Sequence, residues 1–309
     1  MCDTILMSKS LLDMPLLVVN LILEKSELID RMNSRNVCKS LRQVVDKCAI
    51  RCGKIILDIE DKYVSMHLDG NKIVYTDADD NCTTVTYNDQ ENEIEGETFL
   101  VIALNDLKVA LKHVSCFAYV DNTLDRYQNI TYFKRFLKSE ETLHVEEVEI
   151  WNSYVDDVMT ILRCCDSEVL KDIGFSCSDM TDQFPRIAQL DQYKKAKRIR
   201  LKHFVLKEEQ IENLFHLEEF EFEMDELSVQ TAVKIRDNLL QRSTFRRCEI
   251  DLNQSNSRVL NGVANVFKPD YNGDVKFEVE YSNDNYKFVV SLGECKFYPS
   301  FLVFWVKKV

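Results

Sequence analysis

One apolar pattern recurs through this chain and constrains its fold more than any other feature. It reads apolar, two residues, apolar, one residue, apolar. It occurs as Val114/Phe117/Tyr119, Val145/Val148/Ile150, Leu170/Ile173/Phe175, Ala196/Ile199/Leu201, Leu217/Phe220/Phe222 and Phe245/Cys248/Ile250. The central residues of successive matches are 31, 25, 26, 21 and 28 positions apart. Between the matches lie segments of helical spacing. Val155, Val158, Met159 and Leu162 follow a capping box formed by Ser153 and Asp156, and Ala232, Ile235 and Leu239 follow Ser228. Ile187 with Leu190, and Ile211 with Leu214 and Phe215, mark shorter helices. Short strands alternating with helices at this spacing predict a parallel sheet.

The period and content predict a leucine-rich-repeat-like β-α solenoid, irregular in its steps. An ordinary α/β domain whose strands coincide with the template is the alternative, and six matches favour the repeat. Beyond it, Val275–Tyr281 and Tyr286–Leu292 flank Ser282–Asn285 as a hairpin that closes the sheet edge. The apolar stretch Phe301–Val306 reads as a last core strand.

The beginning of the chain has a different period. Asp13 caps a helix with Pro15 in its first turn, where a missing N–H costs nothing. Leu16, Leu17, Val18, Val19, Leu21, Ile22 and Leu23 follow. Ser26 caps a short second helix with Leu28, Ile29 and Met32. Ser34 caps a third with Val37, Cys38, Leu41, Val44, Val45 and Cys48, and Gly53 stops it. Three short helices of this kind carry more apolar surface than they can hide among themselves. The surplus meets either the rest of the chain or a partner.

From Lys54 to Tyr87 the period becomes two. Tyr63–Leu68 and Asn71–Thr76 flank Asp69-Gly70, a two-residue hairpin signal. Thr83–Tyr87 reads as another strand, Asn88–Glu97 as an exposed acidic loop, and Ala103–His113 as a helix. The expected fold class is mixed α and β: a three-helix N-terminal module at 11–53, a small antiparallel β segment with one helix at 54–113, and the solenoid closed by a hairpin at 114–309.

Composition excludes several classes of function. Seven glycines and four prolines leave no phosphate-cradling loop, neither G-x-G-x-x-G nor G-x-x-x-x-G-K-[ST]. A formal net charge of −13 argues against direct nucleic-acid binding. Eleven cysteines, an odd number without regular spacing, make no disulfide framework. With no apolar run of membrane-spanning length and no signal pattern at Met1–Ser10, the chain is expected to be intracellular, cytoplasmic or nuclear.

Met14-Pro15, Ile22-Leu23, Leu28-Ile29, Val37-Cys38 and Leu41-Arg42, in that order, resemble the F-box, with Met14, Ser26 and Asn33 as departures from its pattern. The segments Ile187–Lys194, Phe215–Phe220 and Lys234–Asn238 resemble the FTH domain, with a core at about 138–255. That domain accompanies an F-box in a nematode-expanded family. The resemblance implies a substrate-recognition subunit of an SCF-type, cullin-based ubiquitin ligase. The F-box would dock to a Skp-family adaptor, and through it a cullin, by Pro15, Leu16, Leu17, Ile22, Leu23, Leu28, Ile29, Val37, Cys38 and Leu41. The FTH region would bind a target protein. A binding scaffold outside any ligase is the alternative.

Within the repeat, Arg198, Arg200 and Lys202 align opposite Glu219, Glu221 and Glu223. They form either a target-binding stripe or a row of cross-strand ion pairs, and the second reading is favoured because a neutralised row attracts little. Trp151 is placed on the solvent side of its strand, where it is either a candidate anchor for a target or covered by a loop. Cys164-Cys165 and Cys48 with Cys52 lack ligand spacing, and His67, His113, His144, His203 and His216 form no metal motif. No catalytic residue, metal or cofactor is expected.

Overall fold

The computed structural model describes residues 11–26, 30–31, 34, 39–45, 52–78, 82–124, 126–139, 142–177, 182–252, 262–272, 276–294 and 302–309. The chain divides into two compact units, Met1–His144 and Val145–Val309.

Among the described residues, the first unit has a 3-10 turn at Leu11–Asp13, a helix α1 at Leu16–Lys25 and a shorter α2 at Lys39–Val45. The second expected helix, with Leu28, Ile29 and Met32, falls mostly outside the described residues. Strands β1 (Cys52–Ile59), β2 (Tyr63–Leu68), β3 (Asn71–Ala78), β4 (Cys82–Tyr87) and β5 (Gln90–Glu95) form an antiparallel meander. β6 (Val114–Asp121) returns parallel to β1. Both two-residue turns have two residues of positive φ: Asp69 (48°) with Gly70 (93°), and Asn88 (47°) with Asp89 (61°). That is the backbone of the hairpin turn whose twist matches its strands. The Asp69 carboxylate also accepts hydrogen bonds from the N–H groups of Gly53 (3.0 Å) and Lys54 (2.8 Å), fixing the start of β1.

The acidic loop expected at Asn88–Glu97 is instead strand β5, exposed along its whole length. Its glutamates keep an open sheet edge from pairing with another chain. Helix α3 (Phe99–Ala110) starts four residues before the expected position and packs on β2 and β3. There Tyr75 donates to the Asp106 carboxylate (2.9 Å). Helix α4 (Arg126–Ser139) places Phe133 against Tyr119 and Phe117 of β6, with ring centroids 4.7 and 6.1 Å away.

The second unit contains five parallel strands: β7 (Glu147–Ser153), β8 (Asp172–Cys177), β9 (Arg198–Leu206), β10 (Glu219–Met224) and β11 (Arg247–Leu252). Three more, β12 (Phe277–Ser282), β13 (Lys287–Glu294) and β14 (Leu302–Lys308), are antiparallel. The order is β12-β13-β14-β11-β10-β9-β8-β7. Alternation sends Val148, Ile150, Ile173, Phe175, Ile199, Leu201, Phe220, Phe222, Cys248 and Ile250 into the core. The connecting helices contribute the other half of that core. α5 (Val155–Cys164) buries Val158, Ile161 and Leu162, α6 (Phe184–Ala188) buries Phe184 and Ile187, and α7 (Asp191–Lys195) buries Tyr193. α8 (Val229–Lys234) and α9 (Val263–Phe267) are further helices, and a 3-10 helix at Glu208–Leu214, between β9 and β10, buries Ile211 and Leu214. The cap of α5 lies one residue later than expected: Tyr154 N–H donates to Asp157 (3.4 Å).

The solenoid expectation is overturned. The recurrent template coincides with β6 to β11, but the strands make broad mixed sheets, with fourteen strands among the described residues. A solenoid adds each new strand in parallel at the growing edge. Here β14, last in the chain, inserts between β11 and β13 and runs antiparallel to both. The template reports one buried sheet face, and a one-sided sheet shows that pattern whatever its topology.

Candidate interaction surfaces

α1 is mostly leucine, valine and isoleucine, interrupted by Asn20 and closed by Glu24 and Lys25, and it ends at Ser26. The Ser26 N–H donates to Ile22 O (3.0 Å) and Leu23 O (3.2 Å), and its hydroxyl donates to Ile22 O (2.8 Å). The buried Arg31 guanidinium donates to Ser26 O (2.9 and 3.0 Å) and Glu24 O (3.4 Å), holding the helix end where its carbonyls lack partners. The helix divides its apolar residues in two. Val19 and Leu23, four apart, are buried (2% and 1% exposed), as are Leu41 and Val45 of α2. Met14, Leu16 (62%), Leu17 (71%), Val18, Leu21 and Ile22 are exposed, together with Pro15. Exposed apolar patches are a common feature of contact sites, which makes this face of α1 a candidate. Of the residues expected to dock, Leu23 and Leu41 are therefore core, Pro15, Leu16, Leu17 and Ile22 are on the surface, and Leu28, Ile29, Val37 and Cys38 lie outside the described residues.

The second surface is the polar face of the sheet in the second unit. Arg198 pairs with Asp172, Arg200 with Glu147 and with Glu149 (3.2 Å), and Lys202 with Glu221. The register does place Arg198 opposite Glu219 and Arg200 opposite Glu221. Their guanidinium groups nevertheless turn the other way. Two features of the backbone account for this. Gly174 on β8 has no side chain, so Arg200 reaches across it to β7. A Cβ there would lie 3.7 Å from Arg200 Nε, 3.7 Å from the Trp151 ring and 3.6 Å from Glu149. His203 has φ 55°, and the register shifts beside it, so Glu223 accepts from the His203 N–H (2.9 Å). Trp151 stands half-buried beside Gly174.

Charge is less balanced toward β11. Asp251 is half-buried, and burial pushes its carboxyl up to about 6. Lys202 pulls it down, while Glu249, Glu221 and Glu223 add to the rise. The pattern of residue types along the strands does not disclose this crowding, because it depends on which strands are neighbours.

In the first unit, Ser65 Oγ lies 3.3 Å from His67 Nε2, and Asp58 is register partner of Ser65. The Ser65 side chain is buried, and Asp58 accepts from Asn122 Nδ2 (3.0 Å), so the three do not form a nucleophile with an oriented base. Among the described residues, no group of three or more His, Cys, Asp or Glu side chains is placed to hold a metal ion, and no helix is long and apolar enough to cross a membrane.

The F-box domain family matches residues 11–52, and the FTH domain family matches residues 127–270. The chain carries an F-box domain and an FTH domain. It is also similar to F-box A protein 224 of Caenorhabditis elegans, 23% identical over 283 residues that cover 86% of this chain and 72% of that protein. No solved structure matches. The exposed patch of α1 lies within the F-box, a domain of generally non-catalytic adaptors. Strands β7 to β11 lie within the FTH domain, whereas β12 to β14 lie beyond the matched residues.

Proposed function

We propose that this chain is a substrate-recognition subunit of an SCF-type ubiquitin ligase inside the cell. Its F-box docks to a Skp-family adaptor, and through it a cullin, while its FTH domain holds a target protein. The observation that carries this reading is the apolar patch of Leu16, Leu17, Val18, Leu21 and Ile22 on α1, set within the F-box. Docking would remove that surface from water at about 25 cal/mol per Å² of apolar area. The chain performs no chemistry itself. It raises the effective concentration of the target near a ubiquitin-loaded enzyme. Met14, where the F-box pattern has leucine, is exposed beside the patch and adds an adaptable apolar side chain to it.

On the target side, the polar sheet face with Trp151, Arg198, Arg200, Glu219 and Glu221 is the contact surface we favour. Its four bases on β9 and β11 are outnumbered by eight acids on β7 to β11, so it suits a partner selected by charge. The test is co-purification of the intact chain with a Skp-family adaptor, against a Leu17→Asp, Ile22→Asp variant. Both substituted side chains are exposed, so the variant is expected to fold and to lose the adaptor. Retention of the adaptor by the folded variant would refute docking through α1.

A further inference from the structure

We propose that the groove between the start of β11 and the end of β14 binds an acidic segment of a partner protein. The groove has a volume of about 490 Å³ and is lined by Arg246, Arg247, Lys307, Lys308, Glu219 and Val309. Four basic side chains against one acidic side chain, Glu219, line it, in a chain whose net charge is −13.

The cations are also placed against one another. Arg247 is the direct register partner of Lys307 on the antiparallel strand. The next rung follows from the backbone bond of Lys308 N–H to Arg246 O (2.9 Å), which sets Arg246 beside Lys308. Like charges directly opposite each other on neighbouring strands destabilise a sheet. Successive rungs turn to opposite faces of the sheet, so Arg247 and Lys307 are the pair that share the outer face, and an anion in the groove would offset the repulsion of that rung.

Their present partners neutralise them poorly. Arg246 faces Glu218 at 3.4 Å, but Glu218 is shared with Lys197 (3.3 Å). Arg247 lies 3.9 Å from Glu249 and is the register partner of Glu219 on β10, which in turn faces Arg198 on its other side. The Lys307 ammonium rests 5.9 Å from the Trp305 ring centroid, and the Lys308 ammonium 3.5 Å from that of Tyr286. Lys308 also donates to Ser243 O (2.8 Å).

The same geometry selects an extended acidic segment over a lone anion. The positive groups are spread over two strands and do not converge on one point. The backbone donors that a small anion would use are already bonded: Arg246 N–H to Glu218 O (2.8 Å) and Val309 N–H to Lys287 O (3.0 Å). Recognition is therefore by side-chain charge alone. Arg246 and Arg247 lie within the FTH match, and Lys307 and Lys308 lie beyond it, so the groove needs both stretches. The inference rests on the reading that this half of the chain receives a protein partner.

The test uses the full chain and three fluorescein-labelled peptides, one of glutamates alternating with serine and its glutamine and lysine counterparts, at about 0.15 M salt. The glutamate peptide is expected to give a saturable rise in anisotropy, and the other two none. Arg247→Gln with Lys307→Gln is expected to weaken binding about tenfold, two exposed charge contacts being lost. Lys307→Glu replaces a like-charge rung with an opposite-charge one, so it is expected to raise the melting temperature while it abolishes binding. The proposal is overturned if the folded chain does not bind the glutamate peptide, if it prefers the lysine peptide, or if binding survives these substitutions. Adaptor co-purification with the same variants is expected to be unchanged. A failed groove with an intact adaptor contact counts against the groove alone.

Discussion

Asp251→Asn is expected to stabilise this protein at neutral pH, although it removes a charge that faces a lysine. The Asp251 carboxyl titrates at about 6 in the folded chain, against 3.8 for an ordinary aspartate. Burial is the first cause. The charged side chains around it are Lys202 from β9, Glu221 and Glu223 from β10 and Glu249 from β11, while its register partner on β14 is the uncharged Val303. Lys202 is already engaged by Glu221. A raised carboxyl means that the folded state holds its proton more tightly than the unfolded state does. Between pH ~4 and ~6 the native chain therefore binds more protons, and this group's contribution to stability falls as pH rises. Full burial would convert the rise to about 3 kcal/mol at 1.36 kcal/mol per tenfold change. The group is only half-buried, and solvent screening leaves about 1 kcal/mol. In a unit of this size that is a rise of about 2–4 °C in melting temperature at pH ~7. Thermal melts of both chains across pH ~4 to ~7 give the check. The gain should shrink as pH falls and vanish near pH 4. A destabilised variant at neutral pH, or a difference that ignores pH, would show that attraction to Lys202 outweighs burial and the surrounding acids.

Other substitutions separate core from surface. Leu23→Ala is expected to cost about 2–5 kcal/mol in urea unfolding, because its side chain is buried. Its neighbour Ile22→Asp should leave stability within about 0.5 kcal/mol and act only on adaptor binding. At Gly174 an added methyl meets only ordinary contacts. Gly174→Ala is therefore expected to stabilise by about 0.4–1 kcal/mol, whereas Gly174→Leu should displace Arg200 and Trp151 and cost about 1–3 kcal/mol, both read by thermal melts. Tyr75→Phe deletes the hydrogen bond to Asp106 and is expected to cost about 1.5–3 kcal/mol. A melt indistinguishable from that of the unchanged chain would show that water replaces it.

Much of this molecule is written in local pattern. The Asp69-Gly70 turn needs two residues at positive φ, so its hairpin could be read directly. Asn88-Asp89 carries the same signal, but the acidic run after it has the composition of a loop, and β5 was hidden by its lack of any buried side chain. Alternating apolar residues located β7 to β11, because a strand with one buried face must alternate. The F-box and FTH resemblances likewise rested on short ordered motifs, and the family matches lie on those stretches.

What local pattern could not supply was any relation between distant residues. The insertion of β14 beside β11 is a choice among sheet edges, decided by long-range pairing, and it replaced the expected solenoid with a mixed sheet. The same pairing brought Arg247 against Lys307, while the pairing of β10 with β11 crowded Asp251 with Glu221 and Glu223. The division of α1 into Val19 and Leu23 inside, and Leu16, Leu17 and Ile22 outside, was equally invisible in a segment apolar nearly all round. Sequence determines which faces must leave water, since that follows from side-chain chemistry at fixed backbone periods. Tertiary structure alone decides which of those faces meet each other, because that depends on contacts whose members lie far apart along the chain.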